Sequence, residues 1–135
     1  MTPHRLHRDQ AGMVGKIAFV WLLIGALFIV SAFDGIAIAF TKYHVEDLAG
    51  NAASVAAMNY KGSRKATDAC DAAVTYVTDH DKEAHVPTDG CSIDPDTGIA
   101  TVTVRKVANT LVAQRLSFTR DYTHLESIQS VEPPI

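Results

Sequence analysis

The chain has 135 residues, 47% of them hydrophobic and 20% charged, with a formal net charge of −3. That length leaves room for one modest domain besides a membrane segment. No stripe of Lys and Arg of the kind that neutralises phosphates occurs, so the composition argues against a nucleic-acid partner.

Residues 1–12 (MTPHRLHRDQAG) are polar, contain Pro3, and show no hydrophobic period. They read as a flexible cytoplasmic tail whose Arg5 and Arg8 can meet anionic headgroups. His4 and His7 in such a tail do not make a metal site.

The run Ile17 to Phe33 (IAFVWLLIGALFIVSAF) carries no charge and is closed by Lys16 and Asp34. At about 1.5 Å per helical residue it spans roughly 26 Å, close to the hydrocarbon thickness of a bilayer. No face of it is polar, which excludes a helix lying flat on the surface. It reads as one transmembrane helix. Arg5, Arg8 and Lys16 outnumber Asp9 and Asp34 up to Phe40, whereas acids outnumber bases beyond it. This asymmetry predicts a cytoplasmic membrane protein with its N-terminus inside and its C-terminal domain outside. The competing reading is a cleavable signal peptide with Ala37-Ile38-Ala39 as its exit. The apolar run is longer than such a region needs, and Asp34 precedes the site.

Ser31, Gly35 and Ala39 recur every four residues, a spacing that lets another membrane helix approach closely. Asp34 admits two readings. It faces water at the outer interface, or it is held among neighbouring helices by a partner. Past Phe40 nothing stops the helix, and Leu48, Ala49, Ala52, Ala53, Val55 and Ala56 form a narrow, alanine-rich stripe. We therefore expect the helix to run outward as a stalk to about Met58, with Ala49, Ala52, Ala53 and Ala56 joining Ser31, Asp34, Gly35 and Ala39 in a helix–helix interface. Lys61-Gly62-Ser63 marks the break. The resulting division is a tail over 1–12, a transmembrane helix with its extension over 13–60, and an outer domain over 61–135.

In that domain a second helix is expected from Arg64 to Asp79, with Ala66, Ala69, Cys70, Ala73, Val74 and Val77 on its inner face. Thr78 to His85 collects acids with His80 and His85 and reads as a solvated charged loop, since histidines five apart share no helical face. The period then changes from 3.6 to 2. Cys91–Ile93 is a short strand, Asp94–Gly98 a turn, and Ile99–Val107 a strand of alternating Val and Thr. Asp94-x-Asp96-x-Gly98 looks like a calcium loop but has Arg105 where the closing Glu belongs. Ala108–Leu116 is a short helix or an irregular crossing, Thr123–Ser130 a further strand, and residues 132–135 a frayed end. Cys70 and Cys91 fall on the side where disulfides persist, and closing that loop would stabilise the domain by about 3 kcal/mol.

The order of parts resembles the TadE/TadG-like proteins of tight-adherence (Flp-type) pilus systems. The residues that carry the resemblance are Gly12-Met13-Val14-Gly15-Lys16, the helix ending Phe33-Asp34-Gly35, and the segment from Leu48 to Ala57 (LAGNAASVAA). The chain departs from the family in lacking a glutamate shortly after Gly12, a feature linked to pilin-type processing. The resemblance implies an α+β, pilin-like architecture, with one helix on a short antiparallel sheet beyond the stalk.

No phosphate loop, nucleophile with a base, or metal cluster is found, so an enzyme is not expected, nor a cofactor or small-molecule substrate. The first functional expectation is a minor pilin or pseudopilin-like subunit whose partners are the bilayer and the helices of an assembly. The second is a stand-alone anchored module that binds or senses an envelope ligand.

Overall fold

The computed structural model describes residues 7–135, with side chains described from Met13 onward. Of the flexible tail expected over residues 1–12, residues 1–6 with His4 lie outside the described residues. The remainder is a correction, since from His7 the backbone is already helical. Five elements and one short turn follow. They are α1 (His7–Ser63), α2 (Ala66–His80), β1 (Cys91–Ile93), β2 (Ala100–Val107), a 3-10 turn (Arg120–Thr123) and β3 (His124–Val131). The strands form one antiparallel sheet in the order β1-β2-β3, which confirms an α+β chain.

α1 has 57 residues and continues unbroken across the expected stalk. It divides into two halves by what surrounds it. No described residue from Met13 to Phe33 is buried, and this part is long and apolar enough to cross a membrane. From Val45 to Tyr60 one face is covered by α2 and by the inward face of the sheet. Val45, Leu48, Ala49, Ala52, Ala53, Ala56, Ala57 and Tyr60 are all buried there. The helical period of the stripe is thus as expected, but the partner is not a second chain. Ala49, Ala52, Ala53 and Ala56 pack inside their own domain, because small side chains let α2 and the sheet approach closely.

α2 presents Ala69, Ala73 and Val77 to α1 and leaves Val74 and Ala66 outside, a narrower stripe than expected. On β2 the residues Ala100, Val102 and Val104 face the helices, while Thr101 and Thr103 face away. Cys91 pairs with Val102 and Val104 with Ser127, fixing the register of both edge strands. The largest fully buried side chains are four valines and Thr123. At about 1.5 kcal/mol or more per buried valine, this is a thin core. The Cys70–Cys91 disulfide, across 21 residues of sequence, ties α2 to the edge strand β1 and adds about 3 kcal/mol in the chain-entropy account.

Local chemistry explains the corners. α1 runs to Ser63 and turns at Arg64, which takes a left-handed φ of 57°. The expected glycine end at Gly62 is therefore still helical. Asp94 organises the β1–β2 turn by accepting from the Asp96 amide and the Thr97 hydroxyl, so its carboxylate is engaged by the hairpin itself. Gly98, at φ 74°, closes that turn against Pro133. The C-terminal residues are held rather than frayed, with Lys61 Nζ donating to the Pro134 carbonyl at 2.7 Å.

The alanine seam is tight enough to test. Ala53→Leu should destabilise the domain by about 1–3 kcal/mol through overpacking. Ala39→Leu, exposed on the same helix, should stay within about 0.5 kcal/mol. Chemical unfolding in detergent micelles, followed by circular dichroism, separates the two.

Candidate functional site: a carboxylate clamp at the end of the span

Of the two readings of Ala108–Leu116, a short helix or an irregular crossing, the structure has the irregular one, and the segment 108–123 between β2 and β3 forms no regular helix or strand apart from the short 3-10 turn. It is a compact loop closed at its neck by the Ala108 amide donating to the Thr123 carbonyl at 2.8 Å. The neck sits at the end of β2. There Lys106 reaches Asp81, which lies 2.9 Å from His44 Nε2 on α1. From that level the loop hangs along α1 toward the apolar half. His44 lies ten residues beyond Asp34, about 15 Å along the helix.

At the lower level the loop makes one helix-like turn whose N-terminus points at α1. Asp34 Oδ1 accepts from the Leu111 amide at 2.6 Å. Asp34 Oδ2 accepts from the Val112 and Ala113 amides at 3.0 and 2.9 Å. The next amide, Gln114, donates to Thr110 Oγ1 at 3.1 Å. The donors that a first turn leaves without partners are thereby satisfied. A negative carboxylate at that end is also favoured by the turn's dipole. Asp34 itself is 6% exposed. Gln114 Nε2 donates back to the Ala108 carbonyl, and Thr119 Oγ1 donates to the Ala113 carbonyl, so the turn is braced from within.

This geometry corrects both readings of Asp34, which neither faces water nor takes its partner from a neighbouring membrane helix. The partner is backbone of the same chain, 77 to 79 residues away. Of the expected interface residues, Ser31 and Gly35 line a groove between α1 and the loop. A Cβ built at Gly35 would meet no heavy atom within 4 Å, so no element of this chain uses it for close approach. Ala39 is exposed. The groove measures about 400 Å³ and is mostly apolar, with Asp34 at its polar end.

A second polar cluster latches the neck. Asp81 Oδ2 receives Lys106 Nζ at 2.6 Å, and Glu83 lies 3.4 Å from the same ammonium. Burial opposes the charge on Asp81. Hydrogen bonds from Lys106 and the Glu83 amide, the Lys106 charge and His44 outweigh it, so its carboxyl titrates below the usual range. Burial likewise opposes the charge on Lys106, and Asp81 and Glu83 outweigh it, holding its ammonium above the usual value. No group of three or more His, Cys, Asp or Glu able to hold a metal is present among the described residues.

Sequence reasoning missed the clamp because backbone amides carry no side-chain signature. The available signal was the five large apolar residues Leu111, Val112, Leu116, Phe118 and Tyr122, which belong to no core face expected from sequence.

Two measurements test these contacts. Asp34→Asn keeps the shape but removes one acceptor oxygen, so hydrogen exchange at Leu111, Val112 and Ala113 should speed while the amides of β2 hold. The depressed Asp81 carboxyl contributes stability that is complete above about pH 4, its unfolded value, and is lost as pH falls through the lower folded value. The raised Lys106 contributes below about pH 10 and is lost as pH rises through its folded value. Asp81→Asn should therefore flatten the acid limb of a stability–pH curve measured in micelles. No family model, curated protein or solved structure matches the chain.

Proposed function

We propose that the chain is a structural subunit of an envelope assembly, a minor pilin or pseudopilin-like component of a tight-adherence-type machine. It would be anchored in the cytoplasmic membrane with its domain outside. The observation that supports this reading is the division of α1. One continuous helix carries a bare apolar half and a half that forms the spine of a small α+β head. Such a subunit can stand in a bilayer and exchange lipid contacts for helix contacts without refolding its head. The excess of Arg5, Arg8 and Lys16 before the apolar run favours the orientation. The contact surface differs from the one expected from sequence. Asp34 and the alanine seam are occupied within the chain, which leaves the exposed face of α1 from Met13 to Phe33 and Ala39 for neighbours.

A stand-alone anchored module is the second reading. It is favoured by that internal satisfaction, because both features that invited a partner find one at home.

Both native cysteines are in the disulfide, so single cysteines placed between Ala18 and Ile29 report on neighbours without interference. In native membranes, subunit packing predicts cross-links that repeat every three to four positions, as one helical face requires. Absence of cross-links to any protein along the whole scan would favour the stand-alone module.

A further inference from the structure

The loop that carries the clamp has an exposed surface that the domain core does not explain. Leu111, Leu116, Phe118 and Tyr122 are all solvent-facing, Phe118 at 74% and Tyr122 at 72%. Arg115 and Arg120 stand within three residues of Phe118 in sequence, with Asp121 the single acid of the loop. We propose that residues 111–122 form a second membrane contact. They act as a wedge seated at the hydrocarbon–headgroup boundary of the leaflet nearest the domain, with a phospholipid acyl chain in the adjoining groove. The inference rests on α1 crossing the bilayer and is independent of the assembly role.

Depth identifies the occupant. Counting from Lys16, about 30 Å of hydrocarbon is used up some 20 residues on, near Ile36. The clamp at Asp34 is therefore at that boundary. The groove beside it runs between Leu27, Val30 and Ile38 on α1 and Val112, Leu116 and Tyr122 on the loop. Leu27 lies seven residues before Asp34, about 10 Å further into the span. A surface at this depth, continuous with the lipid-facing side of α1, meets acyl chains.

The loop's chemistry suits that position. Irregular backbone is costly in lipid unless its polar groups are satisfied. Here Asp34, Thr110, Gln114 and Thr119 take up amides and carbonyls of the turn from the inside. Aromatic rings favour the headgroup boundary. Exposed arginines can extend along the apolar surface to reach lipid phosphates, and Arg115 and Arg120 outnumber Asp121. With both α1 and the wedge in the leaflet, the domain is held at two points and cannot swivel about a single anchor.

Fluorescence quenching by brominated lipid tests the wedge. Trp21 is the chain's single tryptophan and sits in the span. The unmodified protein in vesicles of phosphatidylcholine brominated along its acyl chains should lose most of its fluorescence. In a Trp21→Phe background, Phe118→Trp places the reporter on the wedge. That reporter should lose more than half its emission to brominated lipid and resist aqueous acrylamide. Adding Asp34→Asn should reduce the lipid quenching while the Cys70–Cys91 bond stays intact. Quenching of Trp21 alone, with the reporter at 118 open to acrylamide, would overturn the wedge and leave the span standing. No quenching of Trp21 would overturn the span itself. A reporter shielded from acrylamide only at high protein-to-lipid ratio would mean that a second copy covers the loop, and would also overturn the proposal.

Discussion

Three backbone amides on one carboxylate hold the irregular loop of this molecule against its long helix. A carboxylate at the end of an apolar helix and the first turn of an irregular loop are each costly in a water-poor setting. The first lacks donors and the second lacks acceptors. Brought together, each supplies what the other lacks. Asp34 is buried against Leu111, Val112 and Ala113, and the loop gains a fixed position on α1 about 16 Å along the helix from Val45, where the core face of α1 begins. Neither apolar packing nor the sheet would place it there, because most of its apolar side chains face outward.

That anchoring orients a head whose own packing does not require it. The head has a thin core of alanine and valine, stapled by Cys70–Cys91. The end of the head nearest the apolar half of α1 is held twice. His44, Asp81 and Lys106 join α1, the end of α2 and β2 at the neck of the loop, and Asp34 holds the loop lower down. The two latches lie along one helix. Rotation of the loop about α1 would break both, so the clamp fixes the loop end of the head relative to the apolar half of α1.

What the sequence made legible follows from the range of the interactions involved. The charge-free run from Ile17 to Phe33, the 3.6 period of Ala69, Ala73 and Val77, and the Val/Thr alternation of β2 are local patterns, and they gave the helices and the hairpin within a few residues. Cys70 and Cys91 allow a single pairing within the chain, and the alternative of two free thiols is what the bond between them rules out. The alanine stripe was located correctly and its partner misassigned, because a narrow small-residue face fits any close neighbour, whether from the same chain or another. Asp34 was singled out for its chemistry, yet its partners are amides far away in sequence, which no residue type announces. Val74 and Gly62 show a smaller lesson. Periodicity places a residue near a face, while the packing around α2 and the left-handed turn at Arg64 decide the boundary.

These internal contacts also constrain how the chain can work with others. A helix that still needed a partner for Asp34 would be poorly satisfied as a lone subunit, and assembly would have to precede or accompany folding. Here the carboxylate, the alanine seam and the neck are complete within one chain, so the head can form and oxidise first. The surface left for association is then apolar and non-polar throughout the span, where packing between helices draws on shape and small residues rather than on buried charge. Such contacts are individually weak and exchange readily with lipid. That is the property a subunit needs if it waits in a membrane before joining an assembly, and it is the property a permanent monomer would show as well. The distinction between them lies in the bare half of α1 and not in the head.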